Sequence, residues 1–342
     1  MPLIQNKNVS MKDNILEIKD LHIGFKSPVT KQVKEFIYGV NFEVKRGKIL
    51  GIVGESGSGK SITMLSVLHL LNSDAVMTGE ILFNGENIID YDEKQMRKIR
   101  GEKISMIFQD PMTALNPVYT IGNQIVEMIK WHRDDITDPY EYAAHLLEDV
   151  GIADGKRHLK QYPHELSGGM RQRVVIAMAL ASDPEILIAD EPTTALDVTV
   201  QAQIIDLIKE LTVKRNMTTI IITHDLGIVA KICDDVVVMY GGRVCEIGST
   251  REIFLDSKHE YTKGLIAAVP GTNKANRLVP IEGTPVNRST MPKGCAFCVR
   301  CNKAMKICLD EKPQCRKFSD THEAYCFIND LPEGFEFEKE SN

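Results

Sequence analysis

Apolar runs and amphipathic stretches alternate along the chain, and this alternation predicts strands and helices in turn. The segments ILEIKDLHIGF and EFIYGVNFEV, which begin at Ile15 and Glu35, have the period typical of half-buried strands. The apolar run KILGIVG then breaks into glycines, and a helical pattern follows with Leu65, Leu68 and Leu71 on one face. The pattern therefore predicts a strand, a glycine loop and a helix in succession.

The middle of the chain predicts a second α/β portion. Residues 110–165 carry helical stretches interrupted by prolines and glycines, which indicates an inserted helical unit. Five elements follow in order: a helix from Gly168 to about Ala181, the buried strand EILIAD, the helix VQAQIIDLIKELTVKR, the strand TTIIITHD and the run VVVMYGGRV. Buried strands that alternate with helices predict a mostly parallel sheet covered on both faces.

Composition narrows the class of protein. A chain of 342 residues predicts about two domains, and 43% hydrophobic with 26% charged residues is typical of a folded protein. The net charge of −6 argues against attraction of the whole molecule to nucleic acid or an anionic membrane. The longest purely apolar run, Val174 to Ala181, is far shorter than the roughly 20 residues of a membrane span. We therefore expect a cytosolic protein that can associate with a membrane protein.

The glycine loop satisfies a phosphate-binding pattern, G-x-x-x-x-G-K-[ST], from Gly54 to Ser61. Glycines allow backbone N–H groups to converge on phosphate oxygens, and the following helix directs its positive end at the same anion. Lys60 is expected to reach the β- and γ-phosphates, and the Ser61 hydroxyl to ligate Mg²⁺. The loop residues assigned to ATP are Gly54, Ser56, Gly57, Ser58, Gly59, Lys60, Ser61 and Ile62.

Two further motifs suit a nucleotide site. Asp190 and Glu191 end a buried strand, at the sheet edge where α/β proteins bind ligands. Asp190 would hold Mg²⁺ and Glu191 would polarise the attacking water, although an acidic pair here can also cap a loop. In LSGGM, Ser167 is a candidate N-cap before a helix whose glycines expose N–H groups to a second anion; a plain helix cap is the alternative.

The order of these motifs resembles that of ABC-transporter ATPase subunits. Phosphate loop, Gln109, LSGGM, ILIADE, Ala195-Leu196-Asp197 and His224 occur in the order of that family across residues 15–250. The resemblance implies a P-loop core with an antiparallel N-terminal β subdomain and an inserted helical subdomain. The chain then divides into a tail at 1–14, an ATPase domain at 15–256 with its helical subdomain at about 110–165, and an extension at 257–342.

The same resemblance implies roles for single residues. Gln109 would touch Mg²⁺ and the attacking water, and His224 would contact the γ-phosphate. Ser167, Gly168, Gly169 and Asp197 would act across a dimer interface, the first three on ATP held by a partner subunit. Phe25 is the candidate to stack on adenine, and Phe36 or Tyr38 are alternatives because the segment before the loop is longer than usual.

Three stretches indicate a branch of the family. They are similar to segments of the D-type ATPases of oligopeptide and dipeptide importers. The first runs from LSGGM to QAQII, the second is HEYTKGLIAAVP at 259–270, and the third is IEGTPV together with GCAFCVRC. The resemblance implies ATP hydrolysis at the cytoplasmic face of the membrane, with a paralogous F-type ATPase, two permease chains and an external solute-binding protein as partners. Nickel, glutathione and sugar importers belong to the same subfamily. A soluble ABC ATPase of DNA repair or translation, or a redox-sensing module, remains a separate alternative.

Six of the eight cysteines lie between Cys295 and Cys326. The spacing of Cys295, Cys301, Cys308 and Cys326 matches that with which D-type subunits hold an iron–sulfur cluster, and Cys298 and Cys315 are alternates. No acidic residue occurs from Gly283 to Leu309, whereas Arg288, Lys293, Arg300, Lys303 and Lys306 are basic, which fits an anionic [4Fe-4S] cluster. Zinc is the main alternative, because C-x2-C spacing occurs twice, and free thiols or disulfides are the third. Cys233 and Cys245 are expected to be core residues.

Overall fold

A computed structural model of the protein describes residues 13–194, 196–269, 280–286 and 291–332. The expected tail at 1–14 lies outside them except for its last two residues, as do Ala195 and Arg288. The strands are β1 (Asn14–Lys26), β2 (Val33–Lys45), β3 (Ile49–Val53), β4 (Ala75–Phe83), β5 (Glu86–Asn87), β6 (Ile104–Ile107), β7 (Ile186–Asp190), β8 (Thr218–Thr223), β9 (Asp235–Tyr240), β10 (Arg243–Ser249), β11 (Arg316–Lys317) and β12 (Glu323–Ala324).

The helices of the described residues follow the predicted helical patterns in the central part of the chain. They are α1 (Lys60–Val67), α2 (Glu93–Met96), α3 (Pro111–Ala114), α4 (Ile121–His132), α5 (Pro139–Asp149), α6 (Gly155–His158), α7 (Gly168–Leu180), α8 (Val198–Lys214), α9 (Leu226–Ile232), α10 (Thr250–Asp256), α11 (Glu260–Ala267) and α12 (Ile307–Asp310). Short 3-10 helices cover Pro163–Glu165, Cys298–Arg300 and Phe327–Asp330. None of the described helices has both the length and the apolar character needed to cross a membrane.

Two sheets organise the described strands. An antiparallel sheet has the order β2-β1-β4-β5, and a larger sheet has the order β11-β12-β10-β9-β3-β8-β7-β6. Strands β9, β3, β8, β7 and β6 of the larger sheet are parallel neighbours. Strands β3, β7 and β8 are buried throughout, because helices cover both faces of a parallel sheet. The α/β fold with an antiparallel N-terminal part is confirmed.

The register of the parallel strands brings the predicted motifs to one edge. Val53, the last residue of β3, is level with Thr223 at the end of β8, and Asp190 at the end of β7 is level with Ile222. The phosphate loop and His224 directly follow β3 and β8, and the acidic pair lies at the end of β7. Since carboxyl ends of parallel strands share an edge, residues distant in sequence meet there.

Helices α4 and α5, which lie between β6 and β7, pack on α7 through apolar side chains. Helix α4 begins at an N-cap, Thr120, whose side chain accepts the N–H of Asn123. Helix α5 begins after Asp138, which accepts the N–H groups of Tyr140 and Glu141, and has Pro139 in its first turn. Both helices contact each other and α7. Side-chain capping and a buried apolar stripe thus position the helix that carries LSGGM.

The segment after residue 256 is joined to the ATPase sheet. Strand β12 pairs with β10, and Phe297 packs against Tyr240 and Tyr261 with ring centroids 5.3 and 5.2 Å away. Glu246 on β10 is fully buried, and its carboxylate accepts the backbone N–H groups of Lys258 and His259 and contacts His322 Nε2 at 2.8 Å. Because this buried carboxylate is hydrogen-bonded to groups at 258, 259 and 322, it fixes the path of the chain into the extension.

Candidate functional site

The phosphate loop has a backbone that side chains would not permit. Gly54, Gly57 and Gly59 have φ values of 151°, 76° and 106°. A Cβ at Gly54 would lie 2.1 Å from the carbonyl oxygen of Met239, whereas one at Gly57 would meet nothing within 4 Å. Glycine is therefore required by close packing at Gly54 and by backbone conformation at Gly57, whose surroundings are open.

Lys60 lies inside the loop that it follows. Its side chain is buried, and Nζ donates to the carbonyl oxygens of Gly54 at 2.7 Å and Glu55 at 3.1 Å. Burial lowers the pKa of Lys60, and the nearby charges of Glu191, Asp190 and Glu55 oppose that shift. The ammonium thus lies beneath an open loop, where an anionic phosphate would stabilise its charge.

Ser61 and Asp190 meet as the Mg²⁺ assignment requires. Ser61 Oγ donates to Asp190 Oδ1 at 3.0 Å. Burial raises the pKa of Asp190, and the hydrogen bond from Ser61 opposes this shift. A hydroxyl and a carboxylate are hard oxygen donors of the kind that Mg²⁺ prefers, and a divalent cation would offset the desolvation of the carboxylate. The residues present fit the ion.

Glu191 lies at the centre of a hydrogen-bonded cluster. Its Oε1 contacts His224 Nδ1 at 3.1 Å, and its Oε2 accepts from Gln109 Nε2 and from Thr194 Oγ1, both at 3.0 Å. Burial alone would raise the pKa of Glu191, but the hydrogen bonds of His224 and Thr194 and the charge of Lys60 outweigh it, so the pKa is lowered. Glu191 is thus held ionised, as a proton acceptor must be.

Thr194 is a site residue that the sequence reasoning missed. It lies three residues after Glu191 and donates to the same carboxylate oxygen as Gln109. The signal that could have revealed it is the pair of threonines directly after ADEP, since a short loop between a strand and a helix returns hydroxyls to the strand end. Glu191 itself has a φ of 45°, which is uncommon for a residue with a side chain and turns its carboxylate toward these donors.

The residues expected to act across a dimer form one patch. Ser167 accepts the N–H of Met170 as the N-cap of α7, and Asp197 accepts the N–H of Val200 as the N-cap of α8. A Cβ at Gly169 would lie 2.8 Å from Val200, so the two helix ends are in contact. Ser167, Gly168 and Asp197 are exposed. Their assigned role on a partner's ATP stays a prediction that this exposure permits.

The aromatic side chains separate the three candidates for adenine stacking. Phe36 lines a cavity of about 250 Å³ together with Ser56, Gly57 and Ser58 of the loop. Phe25 packs edge-on against Phe36 with centroids 5.0 Å apart. Tyr38 instead lies under the guanidinium of Arg243, and it lines a different cavity. Phe36 therefore borders the loop and Phe25 packs against Phe36, whereas Ile62 packs against the apolar core.

Five of the six clustered cysteines line one small cavity. They are Cys295, Cys298, Cys301, Cys308 and Cys326. Burial raises the pKa of Cys295 to about 12 and that of Cys301 to about 11. Cys315 is exposed and points elsewhere, since its Sγ–H donates to Glu323 at 3.3 Å. The structure thus separates the two alternates: Cys298 shares the cavity and Cys315 does not.

Backbone N–H groups act on the sulfurs of the four predicted ligands. Those of Phe297, Lys303 and Ile328 oppose the rise in pKa that burial causes at Cys295, Cys301 and Cys326. The N–H of Met305 donates to Cys308 Sγ at 3.4 Å. Within the described ranges, however, no group of three or more His, Cys, Asp and Glu side chains is placed so that it could hold a metal ion. Cys233 and Cys245 are buried among apolar residues.

Carboxylates already pair with part of the expected basic patch. Arg300 forms an ion pair with Glu55 at 2.7 Å, and Lys303 forms one with Glu260 at 3.2 Å. The sequence predicted that these cations would lie beside the cysteines, because no acidic residue lies near them along the chain. Tertiary packing brings acidic residues to them from the phosphate loop and from α11.

Comparison with known proteins agrees with this arrangement. The family model described as "ABC transporter" matches residues 37–194, and that described as "Oligopeptide/dipeptide transporter, C-terminal region" matches residues 245–308. The protein cbiO1 of Clostridium perfringens, part of the ABC transporter complex cbiONQ, shares the fold with a TM-score of 0.61 and 31% identity, over 72% of this chain and 92% of that one. A dimeric ATP-binding cassette, MJ0796 with ADP and Pi bound, matches with a TM-score of 0.61 and 27% identity, over 69% and 99% of the two chains.

Sequence relatives extend the match to nearly the whole chain. The oligopeptide transport ATP-binding protein OppD of Bacillus subtilis is 49% identical over 90% of this chain and 87% of its own length. The protein of the same name from Escherichia coli is 44% identical over 96% of both chains. The dipeptide transport ATP-binding protein DppD of B. subtilis is 46% identical, over 93% and 96%.

The fold and the phosphate loop with its acidic cluster define an ATPase of the ABC class. Within that class, the similarity over the C-terminal region selects a branch. The chain belongs to the family of ABC-transporter ATP-binding proteins, in the branch of oligopeptide and dipeptide transport.

Proposed function

We propose that this chain is the ATP-hydrolysing subunit of an importer for oligopeptides or dipeptides, peripheral at the cytoplasmic face of the membrane. One observation carries the proposal: the same chain contains both the hydrogen-bonded cluster around Glu191 and the C-terminal region at 245–308 that is typical of this branch. The transport names of the relatives described above favour this function over a soluble ATPase of DNA repair or translation.

The site residues divide the work of hydrolysis. The loop and Lys60 bind the β- and γ-phosphates, and Ser61, Asp190 and Gln109 hold Mg²⁺, which neutralises phosphate charge when bound. Glu191 accepts the proton of the attacking water, while His224 and Thr194 keep its carboxylate ionised and oriented. Ser167, Gly168, Gly169 and Asp197 of a second ATPase complete the site. A paralogous F-type subunit is the proposed second ATPase, and two permeases and a solute-binding protein complete the importer.

An apolar groove supports docking of a permease. A cavity of about 430 Å³ opens where the core meets the helical segment, and its walls include Leu70, Phe108, Met128 and Met178. Phe108 directly precedes Gln109, whose amide donates to Glu191. A permease segment seated in this groove would therefore press on the residue that touches the catalytic carboxylate. In this proposal the chain has two parts that function as one subunit, the ATPase domain at 15–256 and the extension at 257–342.

Replacement of Leu70 by glutamate should detach the permeases. Leu70 is 41% exposed in the groove, and a carboxylate there would have to be desolvated against an apolar partner surface. The tagged subunit would be purified from detergent-solubilised membranes of its native host, and co-eluting chains identified by mass spectrometry. Wild type should bring down two hydrophobic permeases and a second ATPase chain.

The matched control is Leu255→Glu, since Leu255 is also exposed but lies on α10, away from the groove. This variant should retain the permeases. If the wild-type subunit never associates with hydrophobic chains, the importer function is wrong. If Leu70→Glu retains them as wild type does, the groove is not the docking surface.

We further propose that Cys295, Cys301, Cys308 and Cys326 hold a [4Fe-4S] cluster, with Cys298 as an alternate ligand. The donor set supports this: the sulfurs line one cavity, and backbone N–H groups that donate to them are typical of anionic clusters. Binding would draw the thiols into positions that the described geometry does not hold, and deprotonate them.

Iron and acid-labile sulfide should co-purify with the chain under anaerobic conditions, with broad visible absorption. Cys326→Ser should lose both, whereas Cys315→Ser should retain them because Cys315 lies outside the cavity. Stoichiometric zinc without iron would reverse the proposal in favour of zinc. Equal iron in both variants would contradict the ligand assignment.

A further inference from the structure

The phosphate loop carries a negative charge of its own, on Glu55. This residue follows Gly54 directly, and its carbonyl oxygen accepts from the Lys60 ammonium at 3.1 Å. The charge of the Glu55 side chain also acts on Lys60, which places it within electrostatic range of the phosphate position. A carboxylate so close to a triphosphate would oppose ATP binding unless it were neutralised.

Arg300 of the cysteine segment neutralises it from about 245 residues away in sequence. Its Nη1 donates to Glu55 Oε2 at 2.7 Å and its Nη2 to Oε1 at 3.1 Å, a two-point contact. The Arg300 side chain is 5% exposed and that of Glu55 is 24% exposed. Low exposure reduces solvent screening, so the charges compensate each other strongly.

The guanidinium is held in place by groups other than Glu55. Its Nε donates to the carbonyl oxygen of Glu282 at 2.9 Å and its Nη2 to that of Ile281 at 3.2 Å. Nη1 also contacts the Tyr240 hydroxyl at 3.3 Å. Arg300 is thus a preorganised receptor for the loop carboxylate, built from the extension and the end of β9.

A second contact from the extension holds the backbone of the same loop residue. The N–H of Glu55 donates to the hydroxyl of Tyr261, at 2.8 Å, and Tyr261 on α11 is fully buried. The peptide group of Glu55 is thereby fixed in orientation. The carbonyl oxygens of Gly54 and Glu55, which hold the Lys60 ammonium, belong to this fixed part of the loop.

We infer that Arg300 and Tyr261 are positioning residues for ATP binding: the extension neutralises Glu55 and holds the phosphate loop in shape. The inference rests on the proposed role of the loop in binding ATP. It gives the cysteine segment a function in the ATPase site, because Arg300 lies between Cys298 and Cys301. The sequence alone suggested that Arg300 served the cysteines; its contacts assign it to the loop.

The test compares Arg300→Gln with the double variant Glu55→Gln/Arg300→Gln in the purified full-length chain. Arg300→Gln leaves the Glu55 carboxylate uncompensated, and its repulsion of the phosphates should raise the Kd of a fluorescent ATP analogue and the KM for ATP about tenfold. The value of kcat should change much less. In the double variant both partners are neutral, and most of the affinity should return.

The control is Arg316→Gln, the same substitution in the same extension at an exposed arginine paired with Asp330. It should leave Kd and KM unchanged. Iron content and circular dichroism of each variant check folding. A rise in Kd that the double variant does not reverse would show a merely structural role and overturn the inference, as would an unchanged Kd in Arg300→Gln. Failure of the wild type to bind ATP would instead contradict the proposed function.

Discussion

Replacement of Glu191 by glutamine should lower ATP turnover by about 10²- to 10⁴-fold, the contribution usual for a general base, while ATP still binds. Glutamine has the shape of glutamate and can still accept from Gln109 and Thr194, but its neutral amide cannot take a proton from water. Because hydrolysis is the step that is lost, ATP should hold the ATPase dimer closed. Measurement of kcat and of the dimer fraction by size-exclusion chromatography with ATP checks both results.

The matched control for this variant is Thr194→Val, which keeps the carboxylate and removes one hydrogen bond to it. Hydrogen bonds from His224 and Thr194 lower the pKa of Glu191 against the effect of burial. A base with a lowered pKa acts above that pKa and is lost as the pH falls through it. Thr194→Val should therefore move the acidic limb of the kcat profile to higher pH, with a moderate loss of rate. Hydrolysis at the wild-type rate in Glu191→Gln would overturn the assignment of the base.

Replacement of Lys60 by methionine should weaken ATP binding by roughly 10- to 100-fold, since a hydrogen bond to a charged group contributes about 1.5–3 kcal/mol. Methionine fills similar volume but has no charge. The carbonyl oxygens of Gly54 and Glu55, which accept from the Lys60 ammonium at 2.7 and 3.1 Å, would lose their donor. Titration with a fluorescent ATP analogue gives the change in Kd.

Lys48→Met is the control for Lys60→Met. Lys48 lies just before the same strand, β3, but its side chain is half exposed and pairs with Asp234 at 3.2 Å. Loss of an exposed ion pair has little effect, so the Kd for ATP should not change. An unaltered Kd in Lys60→Met would mean that the phosphates bind elsewhere. A loss of similar size in both variants would indicate a general effect of charge.

The two large effects fall on residues whose positions follow from local sequence. The loop at 54–61 needs only a strand before it, a helix after it and glycines at positive φ, and all three requirements are visible in the chain. Glu191 could be placed because a buried apolar strand ends at ADE, and parallel strands end at one edge. Thr194 could not be selected in the same way, because the hydroxyl reaches the carboxylate only through the geometry of one turn.

The aromatic and cysteine assignments show where local pattern ends. Phe25, Phe36 and Tyr38 lie on adjacent strands, and the alternation of side chains cannot say which one borders the phosphate loop. Cys298 and Cys315 are both alternate ligands in the sequence-based assignment, and only Cys298 has the C-x2-C spacing. Packing places the first in the cavity of the predicted ligands and leaves the second on the surface. The spacing of cysteines along a chain limits the distance between their sulfurs, but it does not determine the direction in which each side chain points.

By itself, the sequence determined the phosphate loop, the acidic pair and the order of strands and helices, because each depends on neighbouring residues and on apolar periodicity. The class of the protein followed from the resemblance of its motif order to that of a known family. Only the tertiary structure decided that β12 extends the ATPase sheet and that Arg300 and Tyr261 hold Glu55. A strand of two residues has no period to detect. An ion pair between positions 55 and 300 leaves no pattern along the chain, because its partners meet only when the whole fold closes.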